Sequence, residues 1–270
     1  MSVKNILVHL DSSARCAERL RLGVALAARS GARLVGVFAQ MATGRHVGVL
    51  ATWPSEEYRI QSENSRADFQ LATRELAQAE WLDLNRGGEA EVTNRLILLA
   101  RHYDLVVLGQ RDPQHAAPLP ADLCEDVIME SGRPVLVVPY AGHYDVIGRR
   151  PLIAWHDAPS AARALNDSLA LVEPQAHAMV VSIAHKATAD HDSVDQILAH
   201  LETHHVTAEA DHLVVEDEGV MDALLNRAAD HGADLLAMGA SGGHGLAFLG
   251  RGSGTRYILR HMTLPVLLSH

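Results

Sequence analysis

Lysine is almost missing from this chain: Lys4 and Lys186 are the only two. A Walker-type phosphate loop needs Gly-Lys-Ser/Thr, so that chemistry is excluded. Cysteine is also scarce. Cys16 and Cys124 lie in helix-like segments with no metal or redox spacing, which fits buried free thiols in a reducing compartment. No window approaches 18 uninterrupted apolar residues, so no segment is expected to span a membrane. The opening MSVKNILVHLD lacks the long apolar core of a signal peptide. Positive charge is outnumbered, with 23 Lys+Arg against 33 Asp+Glu, a formal charge of −10 and a pI near 5.9. That balance argues against nucleic acid and anionic membranes as partners, because both surfaces are negative. The expectation is a cytoplasmic protein.

What is present is ordinary globular material, 48% hydrophobic and 21% charged over 270 residues, enough for two average domains with a core each. The first 40 residues read as strand Asn5–Leu10, helix Ala14–Ser30 and strand Ala32–Ala39, a right-handed parallel βαβ unit. Residues 41–65 are irregular. A helix over Ser62–Ala77 follows, then strand Trp81–Leu84, helix Glu91–His102, strand Leu105–Gly109, helix Leu123–Ser131 and strand Pro134–Val138.

The order then repeats. PLIAWHD (151–157) echoes NILVHLD (5–11), Met179–Ala184 answers the second strand, and a helix over 191–205 the second helix. Leu213–Val215, helix Gly219–His231, strand Leu235–Met238, a helix from Ser253 and strand Pro265–Leu268 complete the series. YDLVVLG is echoed by ADLLAMG, and RPVLVVP by LPVLLSH. So long a period is a duplicated domain rather than a solenoid repeat. The expected organisation is a first domain at 1–140, a linker at 141–150 and a second domain at 151–270, each an open parallel α/β sheet with helices on both faces. Ligands of such sheets bind beyond the carboxyl ends of the strands, where the winding reverses.

In the second half that place holds a glycine-rich stretch, LLAMGASGGHGLAFLGRGSGT (235–255), in which Gly239, Gly242, Gly252 and Ser253 form G-x2-G-x9-G-S. Glycines admit close approach of an anion, and the start of the helix that Ser253 opens, with Tyr257, Ile258 and Met262 on one face, favours a phosphate.

On these residues the chain resembles the universal stress protein family in its tandem form. The motif and the closing PVLL strand match the family's nucleotide motif without a gap. The resemblance implies strand order 3-2-1-4-5 in two five-stranded sheets, pairing of domains through their fifth strands as an intrachain pseudo-dimer, and ATP, with Mg²⁺, between strands 1 and 4. A further homodimer stays open. Carried over to this sequence, Met238, Gly239 and Gly242 approach the ribose and phosphates, while Gly252, Ser253, Gly254 and Thr255 hold the phosphate chain. The family's acidic residue at the end of strand 1 corresponds to Asp11 in the first half. In the second, IAWHDAPSAARAL aligns with either His156 or Asp157 there, and analogy with Asp11 favours Asp157.

The first half's loop, LGQRDPQHAAPLPADLCED, keeps Gly109 but has Asp112 for the second glycine and Asp122, Glu125 and Asp126 at the helix start, where they repel phosphate. One nucleotide site per chain is expected, in a stress-response protein with protein partners as yet unspecified. No catalytic residues are assigned, and any ATP hydrolysis is slow because no group is seen to orient water. The rival expectation is an interaction module without nucleotide binding. Among the 17 histidines, His200, His204, His205 and His212 have a spacing able to hold a metal, but no Glu completes an HExxH pattern and a solvated helix face is the simpler account. Arg251, Arg256 and His244 are candidates for neutralising phosphate charge, and Trp155 is read as a buried anchor.

Overall fold

The computed structural model describes residues 3–42, 45–47, 50–52, 54–84, 88–114, 117–184, 191–214, 219–240 and 253–270. The chain divides into two compact units, 2–133 and 134–270.

In the N-terminal unit β1 (Asn5–Leu10), β2 (Arg33–Phe38), β5 (Ala79–Asp83) and β6 (Leu105–Gly109) are parallel in the order β5-β2-β1-β6. β1 and β2 are near-continuous apolar runs because helices cover a parallel sheet on both faces. α1 (Cys16–Ser30) buries Leu20, Gly23, Leu26 and Ala27 and ends at Gly31, whose φ of 62° is the left-handed cap that glycine adopts without strain. α2 is longer at its start and shorter at its end than the sequence suggested, running Glu56–Ala72. Ser55 caps it by accepting from the Tyr58 N–H at 3.2 Å, with Glu56 and Glu57 in the first turn. It docks through Phe69, whose ring lies where a side chain on Gly36 of β2 would stand, 2.5 Å from that ideal Cβ. A short antiparallel ribbon, β3 (Arg45–Val47) and β4 (Leu50–Thr52), occupies the irregular 41–65 region. α3 (Glu89–Ala100) and α4 (Leu123–Glu130) complete the unit.

The C-terminal unit opens with β7 (Val135–Val138) and continues with β8 (Pro151–Trp155), α5 (Pro159–Ser168), β9 (His177–Ala184), α6 (His191–Thr203), β10 (Thr207–Val214), α7 (Val220–Asp230), β11 (Leu235–Gly239), α8 (Ser253–His261) and β12 (Val266–Ser269). Its parallel order is β10-β9-β8-β11-β12, which is 3-2-1-4-5, and β7 pairs antiparallel with β12, Leu267 opposite Leu136. The first half's last strand therefore covers the edge of the second half's last strand. β10 is much longer than the Leu213–Val215 run legible in the sequence. As an edge strand it carries polar residues such as Glu209 and His212 and gives little apolar signal.

One carboxylate fastens the start of β1, and another the start of β8. Asp104, just before β6, accepts from the Lys4 and Asn5 N–H groups at 2.8 and 3.0 Å. Asp234, just before β11, accepts from Gly148, Arg149 and Arg150 at 2.9–3.1 Å. These are the aspartates of the YDLVV and ADLLA echo. Residues 148–150 are thus bound into the C-terminal unit. Gly148 needs to be glycine, since its φ is 90° and a Cβ would stand 2.0 Å from the Leu171 carbonyl oxygen.

Candidate functional site

The clefts at the carboxyl ends of strands 1 and 4 can be compared position by position. Leu105 pairs with Ile6, and its counterpart Leu235 pairs with Pro151. Asp104 N–H bonds to Asn5 and Asp234 N–H to Arg150. Both relations put residue 11 opposite 156, and continuing without a gap puts 19 opposite 164. Arg19, Leu20 and Gly23 are buried on α1 just as Ala164, Leu165 and Ser168 are on α5.

In the N-terminal unit Arg19 pairs with the carboxylate at the end of β1, beside a cavity of about 750 Å³ lined by Asp11, Ser12, Cys16, Gln61 and Asn64. Asp11 is 6% exposed and Arg19 3% exposed, and the Arg19 Nη2 donates to Asp11 Oδ2 at 2.9 Å while Nε donates to the His9 carbonyl at 2.6 Å. Asp11 Oδ1 also accepts from the Ser13 N–H at 2.8 Å. Burial alone would raise the Asp11 pKa, but the Arg19 guanidinium outweighs it and holds the carboxyl at about 2. His9 donates Nε2–H to the Ala39 carbonyl at 2.7 Å, a tautomer fixed because a carbonyl can only accept. Its Nδ1 lies 3.8 Å from Asp11, and burial together with Arg19 lowers its pKa to about 4.

The same guanidinium occupies the space beside Gly109, where an added Cβ would meet Arg19 Nη1 at 1.9 Å. The Cys124 thiol bonds to the Gly109 carbonyl at 3.3 Å, and burial pushes it up to about 12. Cys16, whose sulfur accepts from the Asp11 N–H, is raised by burial as well, so both stay as thiols. The loop after β6 is tied back to the end of β2 by Met41 N–H to the Pro118 carbonyl, 2.7 Å.

The C-terminal unit keeps none of the charged groups. His156, not Asp157, stands at the Asp11 position; Asp157 is one residue further and exposed. Correcting the analogy drawn from the sequence, the strand register, with Ile6 beside Leu105 and Pro151 beside Leu235, sets the HD and LD pairs one residue apart. Ala164 stands at the Arg19 position, and α5 closes on β11. A Cβ on Gly239 would lie 2.6 Å from Ser160 Oγ and 2.7 Å from the Ala161 nitrogen. The local requirement for glycine at 239 is therefore helix–strand packing. The Nε2 of His156 is buried with no hydrogen-bond partner among the described residues, and burial lowers the pKa of the ring against the opposing pull of Asp157.

Met238 and Thr255 are buried, and Ser253 and Gly254 open α8. Gly242 and Gly252, with His244 and Arg251, lie outside the described residues. Ile258 of α8 and Met262 just beyond its end are buried, whereas the Tyr257 hydroxyl bonds to Asp222 of α7 and its ring stacks on His261 at 4.0 Å. The helix starts also differ: α1 has Glu18 in its first turn and α4 has Glu125 and Asp126, while α5 and α8 have no acid there.

Trp155 is a buried anchor, 6% exposed, donating to Ser193 Oγ at 3.1 Å. His200 and His204 are 4.8 Å apart in edge-to-face contact, and no group of three or more His, Cys, Asp or Glu able to hold a metal occurs among the described residues. No helix among them is long and apolar enough to cross a membrane. Arg19 is the site residue that sequence reasoning missed. The available signal was a single arginine on the otherwise apolar stripe formed by Cys16, Leu20, Gly23 and Ala27.

Parallel sheets with strands 1 and 4 adjacent and helices between the strands define an α/β protein of the doubly wound class. Residues 151–270 match the model of the universal stress protein family. The whole chain shares its fold with a universal stress protein from Archaeoglobus fulgidus DSM 4304, at TM-score 0.72 and 15% identity over 98% of this chain and 95% of that one. A structure from Pseudomonas aeruginosa UCBPP-PA14 under the same family name aligns at TM-score 0.61 and 12% identity over 99% and 93%. A universal stress protein solved in complex with cAMP aligns over 52% of this chain and all of its own, at 17% identity and TM-score 0.38. No curated protein matches the chain.

Proposed function

We propose that the protein is a cytoplasmic stress-response regulator that binds one adenine nucleotide per chain, ATP with Mg²⁺, in its C-terminal unit. The observation that carries this is the contrast at the helix starts: α8 has no acid in its first turn, so the positive end of its dipole favours an anion, whereas α1 and α4 carry their own carboxylates. In this reading the chain is two tandem domains, 1–140 and 151–270, joined by 141–150. Gly242, Gly252, Ser253, Gly254 and Thr255 hold the phosphates, Met238 and Gly239 form the wall, and Asp157 stands at the mouth. The N-terminal unit is a scaffold as far as nucleotide is concerned, its strand-end carboxylate being paired with Arg19. The role is binding, with a change of partner contacts as the output, and hydrolysis is at most slow. A second reading, an interaction module without nucleotide, draws on the replacement of the strand-1 acid by His156.

Calorimetric titration of Mg-ATP into nucleotide-stripped protein tests the choice. One site per chain, lost in Gly252→Asp/Ser253→Ala, is expected. Absence of heat and of any thermal shift with adenine nucleotides overturns it in favour of the interaction module.

A further inference from the structure

We propose that the N-terminal unit carries a ligand site of its own, the cavity between α1 and α2, and that it takes a small organic cation with an apolar body, of the arylalkyl ammonium class. The site lies in the other unit from the nucleotide loop and does not depend on it.

The cavity exists because the two helices meet through short side chains. Ala17 of α1 and Ser65 and Ala72 of α2 line it, and they leave open a gap of about 750 Å³ that larger side chains would fill by interlocking. That volume is typical of a small-molecule site. Leu20, buried, and Val24 give it an apolar floor. Leu71, one of three exposed large hydrophobic residues among those described, stands on its rim with 66% of its surface open to water. An apolar body that covers this wall takes it out of water, which is the driving force for entry.

The charges select the ligand's polar end. Asp11 is engaged by Arg19 and by the Ser13 N–H, and Arg21 is bonded to Glu18, so each of these pairs sums to zero. Asp68 is left over. It lines the cavity without a hydrogen bond or ion pair among the described residues, and the one cation that lines the cavity with it is Arg21. The wall therefore keeps one uncompensated negative charge, which an ammonium group complements and a phosphate or carboxylate meets with repulsion. Asn64, one helical turn before Asp68 and equally without a partner among the described residues, adds neutral donors and an acceptor beside it. The excess of acidic over basic residues in the whole chain, 33 against 23, attracts a cation in the same sense.

Tryptamine, its neutral N-acetyl derivative and the anionic indole-3-propionate share one apolar body and differ in charge, so together they separate the cation from the cavity. Each is titrated calorimetrically at low salt into the full chain as wild type, Asp68→Asn and Ala17→Phe, the last of which places a ring in the cavity from an exposed helix position. All three proteins are checked for native circular dichroism. Because Asp68 is exposed, the expected preference for tryptamine over indole-3-propionate is about 3- to 10-fold. It should vanish in Asp68→Asn, which leaves N-acetyltryptamine unaffected, and Ala17→Phe should lose all three probes. A readout without any variant is the backbone amide spectrum of wild type, in which tryptamine should shift Ala17, Asn64 and Asp68. Three probes bound alike by wild type, or none bound, overturn the inference. So does adenosine displacing tryptamine, which would make the cavity a nucleoside site. Mg-ATP uptake by the C-terminal unit is read separately by the Gly252→Asp/Ser253→Ala titration, so either proposal can fail without the other.

Discussion

The ends of β1 and β8 occupy the same place in two copies of one fold, and they use it in opposite ways. At the first, His9, Asp11 and Arg19 form a buried cluster in which the carboxylate and guanidinium bond to each other and to the backbone. At the second, a histidine nitrogen is left over and α5 moves in on Gly239. The difference shows that strand order and register can stay while the groups at the strand ends are exchanged: a buried ion pair in one unit, His156 and Ala164 in the other. In the first, the guanidinium fills the space beside Gly109.

The largest effect should come from breaking the ion pair on one side. Arg19→Ala strands a buried carboxylate and is expected to lower stability by about 3–5 kcal/mol in urea unfolding. The double change Asp11→His/Arg19→Ala, which installs the C-terminal unit's own pair, should recover a large part of that loss. A double variant no more stable than the single one would mean that the two pairs are not interchangeable.

Acid should act next. Between pH 6.5 and about 4 the unfolded chain binds a proton at His9 that the folded chain does not, so stability falls as pH is lowered through that window, by about 3 kcal/mol in all. Asp11 works in the same direction at lower pH. Its contribution is present above the ordinary value of 3.8 and is lost as pH falls through about 2. Unfolding free energy measured from pH 7 to 4 should flatten in His9→Gln, which keeps a donor for Ala39 without titrating. An unchanged slope would place the acid sensitivity elsewhere.

The smallest effect concerns the shared glycine. Gly239→Ala presses a methyl on the backbone of Ser160 and Ala161 and should cost about 1–3 kcal/mol. Gly109→Ala meets the end of the Arg19 side chain instead, so its cost should shrink in an Arg19→Ala background. Additive behaviour of Gly109→Ala and Arg19→Ala would show that the guanidinium is not what the glycine makes room for.

Much of this architecture was legible before the coordinates. The runs NILVHL, LVVLG, PLIAW and LLAMG are continuous because central parallel strands are apolar on both faces, and they carried the alternation and the internal repeat. β10 and the β3–β4 ribbon were not, since an edge strand such as TAEADHLV alternates too little and a three-residue strand gives no period. The strand ends and the glycine-rich stretch of the candidate site could be read from the sequence, but the register at its first strand could not. HDAPSAARAL slides by one against DSSARCAERL without penalty, and only the backbone pairing of β8 with β11 sets His156 rather than Asp157 opposite Asp11. Arg19 was hidden for a different reason: a buried arginine looks like a surface one until its carboxylate is placed beside it.

The carboxylate clasp at the start of each first strand sets a delay during synthesis. Asp104 follows Lys4 by 100 residues and Asp234 follows Gly148 by 86. At about 5–20 residues per second, the first strand of each half waits roughly 4–20 s for the residue that fastens its beginning. During that interval NILVHL and PLIAW emerge from the ribosome as apolar segments with one edge unclaimed. The order of elements in this fold thus leaves the beginning of each half's earliest strand unfastened until most of that half has been made.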